Sequence, residues 1–192
     1  MNAADIVAAL QHGPGYAVVP ELMSRTNVQT ARDTIFRLAD EDRATGKLIT
    51  QHDRWRLRLT GRSDIFTHFA AHDLVAEVAE HMLGAGFAMG GLSAHALTKG
   101  APPQGVHVDY PYSVMREPFP EPPMQLQAIW TLDDFTPDNG ATRVLPHSQK
   151  SRRRPDKQEF YARSTPILCP AGSLILSHGG LWHDSSTNCT NE

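Results

Sequence analysis

The chain has 192 residues and a mass of 21.2 kDa, enough for one domain with a real core, since chains of this size bury roughly 70% of their unfolded surface. Hydrophobic residues make up 40%, charged residues 20%, and the net charge is −3, an ordinary globular balance with no basic excess that would make nucleic acid the main partner. The 2 cysteines, Cys169 and Cys189, are too few for a disulfide scaffold and lack Cys-x-x-Cys spacing, so they read as reduced thiols of an intracellular protein.

Met1-Asn2-Ala3-Ala4-Asp5 has no basic region leading into an apolar stretch, so a secretion signal is not expected. No apolar run approaches the roughly 20 residues that span a bilayer. The expected setting is cytoplasmic, without membrane contact. Asn188-Cys189-Thr190 has the form of a glycosylation sequon and is read as a chance match.

Residues 3–11 are expected to form a short helix, stopped by Gly13-Pro14-Gly15. Tyr16–Val19 reads as a strand ending at Pro20. Val28, Ala31, Ile35 and Leu38 recur at helical spacing and predict a helix over about 27–43. Leu74, Val75, Val78, Ala79 and Met82 form another apolar stripe, predicting a helix over 73–83 closed by Gly84. After Gly84 the segments become short and alternating. Strands are expected over 87–97, 105–110, 124–132, 141–145 and 169–178, with a turn at Asp138-Asn139-Gly140. Helices first and strands after predict a mostly β protein with flanking helices, built on a sandwich or jelly roll.

The chemistry concentrates at His107-Val108-Asp109 and at Leu181-Trp182-His183-Asp184-Ser185. Residues two apart on a strand project to one side, so His107 and Asp109 can reach a single ion. A second histidine, His183, would complete two imidazoles and one carboxylate, the facial triad of non-haem Fe(II) oxygenases. With 10 histidines in the chain, a His-x-Asp pair also arises easily as a surface feature, so the context matters. That context is the strand Gln127-Ala128-Ile129-Trp130-Thr131-Leu132, the turn Asp138-Asn139-Gly140-Ala141-Thr142-Arg143, and Pro170-Ala171-Gly172-Ser173 leading to Trp182-His183.

In this order the motifs resemble the phytanoyl-CoA dioxygenase-like (PhyH) Fe(II)/2-oxoglutarate oxygenases, over roughly Ala94 to Asn191. The resemblance implies one oxygenase domain over 1–192, with a helical flank over 1–84 and a double-stranded β-helix (cupin-like jelly roll) over 85–192. It implies His107, Asp109 and His183 as iron ligands, Trp130 and Thr142 at the 2-oxoglutarate pocket, and Gln127 as a further contact. The cofactors so implied are Fe(II), 2-oxoglutarate as cosubstrate and O2, and the partner is a small-molecule substrate. The activity implied is hydroxylation of an unactivated C–H bond in a secondary metabolite, amino acid or acyl derivative, with release of succinate and CO2. Asp109 stands where related halogenases have a small residue, which favours hydroxylation; desaturation, epimerisation and ring formation use the same centre. The alternatives are a catalytically degenerate binding protein on the same scaffold and a cupin-type metalloenzyme that does not use 2-oxoglutarate.

Two departures from the family pattern stand out. Pro146-His147-Ser148-Gln149 displaces a histidine by two places, and His147 is read as structural; His178 is a weaker rival to His183. The family's arginine for the distal cosubstrate carboxylate would fall just beyond Glu192, so a jelly roll incomplete at its C-terminus is expected. Lys150 and Arg152–Arg154 read as a solvated loop or an anionic-substrate contact. Tyr110, Tyr112, Met115 and Arg116 lie in a Pro-rich stretch expected to act as a substrate lid, and Arg56 and Arg58 are expected to be surface charges.

Overall fold

The computed structural model describes residues 1–191, and Glu192 lies outside the described residues. Three three-stranded sheets carry five helices on one side of the sheet layer and around its ends. The first element is α1 (Ala3–Gln11), whose amide N–H at Asp5 is capped by the Asn2 side chain at 2.9 Å. It buries Ala3, Ile6 and Leu10. Strand β1 (Tyr16–Val19) follows, then α2 (Arg25–Ala44), capped by Ser24 and burying Val28, Ala31, Ile35 and Leu38. The helix starts at Arg25, three residues before the apolar stripe begins at Val28, because the Ser24 cap sets the boundary rather than the stripe.

The hairpin β2 (Ile49–Gln51) and β3 (Arg54–Arg58) comes next, then α3 (Ile65–Ala70) and α4 (Asp73–Leu83). The remaining strands are β4 (Ser93–Leu97), β5 (Leu126–Trp130), β6 (Thr142–Val144), β7 (Thr165–Pro166), β8 (Leu174–His178) and β9 (His183–Ser185). A 3-10 turn at Ser148–Ser151 and α5 (Lys157–Arg163) interrupt the second half. The three sheets are ordered β1-β8-β5, β2-β3-β4 and β7-β6-β9, all antiparallel.

The architecture is the expected one: mostly sheet, helices flanking, of jelly-roll type. The sheets do not close into a barrel. Residues 1–84 are more than a helical flank, however. β1 supplies one edge of the sheet centred on β8, and β3 pairs along its whole length with β4. Strands that need partners take them across the 84/85 boundary, so the helix-rich and strand-rich parts share one core.

The two faces of each sheet have distinct neighbours. Leu174 and Leu176 of β8, with Ala17 and Val19 of β1, pack against Ile6 and Leu10 of α1 and Val78 and Met82 of α4. Trp55 and Leu57 of β3 pack against Ile35 and Leu38 of α2 and Phe66 and Phe69 of α3. Both sheets therefore turn one face to the helices. On the opposite face of β8, Ile175 packs with Val144 of β6, Ile167 and Leu181, joined by Ile129 of β5. That face is the inside of the roll, where the third sheet lies.

Strand β8 is the central strand of its sheet, and Leu176 is 0% exposed. Leu176→Ala is expected to destabilise the chain by about 2–5 kcal/mol, read from chemical denaturation midpoints. At the end of β8, burial holds the His178 imidazole below the ordinary histidine range, and its Nδ1 accepts the Gly180 N–H at 3.0 Å. The unfolded chain therefore takes up a proton at higher pH than the folded chain. Stability is full above the unfolded value of about 6.5 and is lost as pH falls below it. Thermal melts of the metal-free protein should drop between about pH 7 and pH 5, and His178→Asn should make that decline shallower. Melts that do not change across that window would count against this placement of the imidazole.

Candidate metal centre

The segment from Gly105 to Asp109 is held as an extended strand by a few specific bonds rather than by a full ladder. His107 and His183 form an isolated antiparallel bridge, each N–H donating to the other's carbonyl at 3.0 Å. The Asp109 N–H donates to the Gly179 carbonyl at 2.9 Å, and the Gly105 N–H to Asp184 Oδ1 at 3.0 Å. Strand alternation then sorts the side chains. Val106, Val108 and Trp182 point into a buried cluster with Tyr110, Phe119, Leu145 and Phe160. His107, Asp109 and His183 point the other way, together.

One potential ligand atom from each of His107, Asp109 and His183 lies within 4.8 Å of the other two. The two imidazole rings are 4.2 Å apart, and His183 Nε2 is 3.7 Å from Asp109 Oδ1. His107 Nδ1 meets the Gly105 carbonyl at 2.9 Å and His183 Nδ1 the Leu181 carbonyl at 3.0 Å. A carbonyl can only accept, so each Nδ1 carries the proton and each Nε2 is left with a lone pair. Burial, above all, lowers the His183 pKa, and His107 adds to this while Asp109 works against it. The ring is therefore a neutral donor at neutral pH. Asp109 Oδ2 is buried with no hydrogen-bond partner among the described residues. Two free imidazole lone pairs beside an orphaned buried carboxylate oxygen fit a divalent cation, which would satisfy all three.

Asp184, which follows His183, points to the outer side of β9. It is 2% exposed, and its carboxylate accepts from Tyr161 Oη at 2.6 Å as well as from Gly105 N–H. Burial first, and then the Asp184 carboxylate, hold the Tyr161 phenol above its ordinary range, so it stays a donor. Arg143, opposite Asp184 in the register, lies over the Phe160 and Tyr161 rings at 5.9 and 5.8 Å. Helix α5 thus braces the strand that carries His107. The sequence reading missed both α5 and this carboxylate. The signal was present in Asp156, whose side chain caps the Glu159 N–H at 2.8 Å three residues on.

The other expected site residues divide. Thr142 pairs with Ser185 and Val144 with His183, so Thr142, Val144, His183 and Ser185 share one side of their sheet. Val144 packs against Ile175 and Ile129, which identifies that side as the inside of the roll. Gln127, opposite Ser177 and two residues from Ile129, also faces inward, with only a 3.5 Å contact to Ser177 Oγ. Trp130 does not. It lies on the helix-facing side of β5, 5.5 Å from Phe69 and 5.3 Å from His72 between ring centroids. It lines a cavity of about 430 Å³ with Leu22, Met23, His68 and His72, behind the sheet from the triad. The expectation that Trp130 lines a cosubstrate pocket is therefore corrected: period-two alternation gives that side of the strand to the helices.

His178 is withdrawn beside Gly180 and Tyr110, and His147 donates through Nδ1 to the Gly13 carbonyl, 2.9 Å away. Tyr110 is 4% exposed and receives the Met124 N–H at 3.2 Å, so it is part of the core and not of an open lid. The basic run is a clamp rather than a solvated loop. Arg152 Nε donates to the Phe119 carbonyl, Arg153 lies over Trp182, and Arg154 donates to the carbonyls of Tyr112 and Met115.

"Dioxygenase trt7" of Aspergillus terreus is 27% identical over 183 residues, covering 90% of this chain and 62% of that protein. The uncharacterized protein Rv1501 of Mycobacterium tuberculosis is 23% identical over 192 residues, covering 91% of this chain. The chain spans 66% of Rv1501, so it covers less than two thirds of the length of either curated relative. Among solved structures, the epimerase SnoN, in complex with Fe3+, alpha ketoglutarate and nogalamycin RO, superposes with a TM-score of 0.72 at 18% identity. That match covers 99% of this chain and 79% of SnoN. The model of the phytanoyl-CoA dioxygenase (PhyH) family matches residues 12–192, and the chain belongs to that family.

Proposed function

We propose that the chain is the catalytic part of an Fe(II)/2-oxoglutarate-dependent oxygenase, with His107, Asp109 and His183 as the iron ligands. The carrying observation is the convergence of the three ligand atoms within 4.8 Å, with both Nδ1 atoms spent on carbonyls and Asp109 Oδ2 left without a partner. Membership of the PhyH family supports the reading, as does the fold shared with SnoN, which carries Fe3+ and alpha ketoglutarate. When bound, iron with 2-oxoglutarate and O2 supplies the oxidising power that removes hydrogen from a substrate C–H bond, leaving succinate and CO2.

The protein's own part is to preorganise and shield. The carbonyls of Gly105 and Leu181 fix both imidazole tautomers and ring orientations. His107, Asp109 and His183 would hold the iron on the surface that Val144 identifies as the inside of the roll. Thr142 and Gln127 stand on that inner surface and are proposed to contact the cosubstrate. Val144, Ile129 and Ile175 give it an apolar floor that keeps stray water away. The substrate is proposed to be a small molecule. Hydroxylation is the proposed outcome, since Asp109 fills the coordination position a halide would otherwise take.

Anaerobic titration of the protein with Fe(II) and then 2-oxoglutarate should produce a visible charge-transfer band, and Asp109→Ala should abolish it. A full-length protein that melts cooperatively and gives no band would sink the oxygenase reading. Asp184→Asn, which removes the charge that Tyr161 and Gly105 address, should weaken Fe(II) binding by about tenfold, measured by competition with a chromogenic chelator. Unchanged affinity would mean the bridge to His183 positions His107 without that brace.

A further inference from the structure

Strand β3 reads Arg54-Trp55-Arg56-Leu57-Arg58. Trp55 and Leu57 are buried against α2 and α3, so the three arginines share the opposite face with Ser93, His95 and Leu97 of β4. That face is the inner one. Arg54 Nη1 donates to Ser185 Oγ at 3.3 Å, and its Nη2 donates to the Pro102 carbonyl. Ser185 stands two residues from His183 on the same side of β9. The arginine row therefore begins beside the metal centre and leads away from it, about 7 Å for each pair of residues.

Arg54 is committed to the protein. Arg56 and Arg58 are not: both are exposed, and neither has an ion pair or side-chain hydrogen bond among the described residues. They line a cavity of about 520 Å³ with Lys47, Arg62, Ile49 and Asp42. Its carboxylate, Asp42, is already held by Arg62 at 2.7 Å, which leaves Arg56, Arg58 and Lys47 uncompensated. His95 adds no further charge at neutral pH, since desolvation, then Arg56 and Arg54, push its pKa down. Two unpaired guanidiniums on the same face of one strand form a cationic patch, and their planar forks suit carboxylate and phosphate.

We propose that Arg56 and Arg58 bind the anionic group, a phosphate or carboxylate, of the small molecule that the metal centre oxidises. This rests on the oxygenase reading and adds the substrate's chemical class to it. The anion sits about two to four strand residues from Ser185, so the substrate spans roughly 7–13 Å between its charged end and the residues beside the reacting carbon. The cavity size falls in the usual range for a small-ligand site.

The test uses the whole chain loaded with redox-inert Ni(II). Inorganic pyrophosphate and 2-oxoglutarate are titrated separately by calorimetry into the native protein, Arg56→Gln/Arg58→Gln, and an Arg163→Ala control on α5. The expected result is pyrophosphate binding at least tenfold weaker in the double variant, unchanged in the control, with 2-oxoglutarate binding unchanged in all three. Pyrophosphate binding that is absent from the native chain, or equal in the double variant, overturns the proposal. Loss of 2-oxoglutarate binding in the double variant also overturns it, because the arginines would then hold the cosubstrate. If the double variant melts early, the single variants Arg56→Gln and Arg58→Gln are titrated instead, and the same two outcomes decide. A native chain that fails to bind Ni(II) overturns the oxygenase reading separately, while arginine-dependent pyrophosphate binding in that chain still supports an anion site.

Discussion

The paired backbone hydrogen bonds between His107 and His183, each at 3.0 Å, are the constraint on which the rest of the centre depends. They join segments 76 residues apart and set the register in which two imidazoles fall on one side. A slip of one residue would exchange His107 for Val106 or Val108 and bury the metal-binding face in an apolar cluster. So short a pairing has little strength of its own. It is held by Asp109 N–H on Gly179, by Gly105 N–H on Asp184, and by Tyr161 of α5 behind that carboxylate. The apolar side, where Val106, Val108 and Trp182 meet Phe119 and Phe160, contributes the burial that these few polar contacts lack.

The division of faces extends this constraint across the molecule. Helices α1, α2, α3 and α4 cover one side of the two larger sheets. What remains inside the roll is a surface that runs from apolar at Ile129, Ile175 and Val144 to polar at Gln127, Ser177 and Thr142, and then to the arginines of β3. A hydrophobic floor near the ligands strengthens electrostatic interactions there. Charge placed further out along β3 can orient a ligand without competing for the metal. Carboxylates close to the ion would be drawn to it; guanidiniums are not.

Much of the fold was legible because its signals are local. The stripe Val28, Ala31, Ile35, Leu38 and the stripe Leu74, Val78, Met82 both lie on helices, with Ser24 and Gly84 at the ends. The alternation through Leu126, Ala128 and Trp130 marks a strand. The hairpin over 49–58 escaped notice although Arg-Trp-Arg-Leu-Arg alternates cleanly, because charged residues on one face resemble a solvated surface until the other side of that face is known. Helix α5 is only 7 residues long, too short for a periodic signal. The basic run after His147 gave no sign that its guanidiniums would be consumed by the carbonyls of Tyr112, Met115 and Phe119.

Residue types and their spacing made His107, Asp109 and His183 a candidate metal-binding set, and the order of the surrounding motifs singled it out. Two residues apart on an extended chain means one side, and histidine and aspartate are the donors such an ion needs. Sequence could not decide which side of a strand faces which layer. Trp130 and Gln127 lie three residues apart on one strand, yet the tertiary packing gives Trp130 to Phe69 and His72 and leaves Gln127 inside. Arg56 and Arg58 are exposed charges, as expected, but the same packing sets them together on one face of β3, where they line a cavity with Lys47 and Arg62. The physical reason is that a strand's alternation is intrinsic to the backbone, whereas the identity of each face is set by what packs against it.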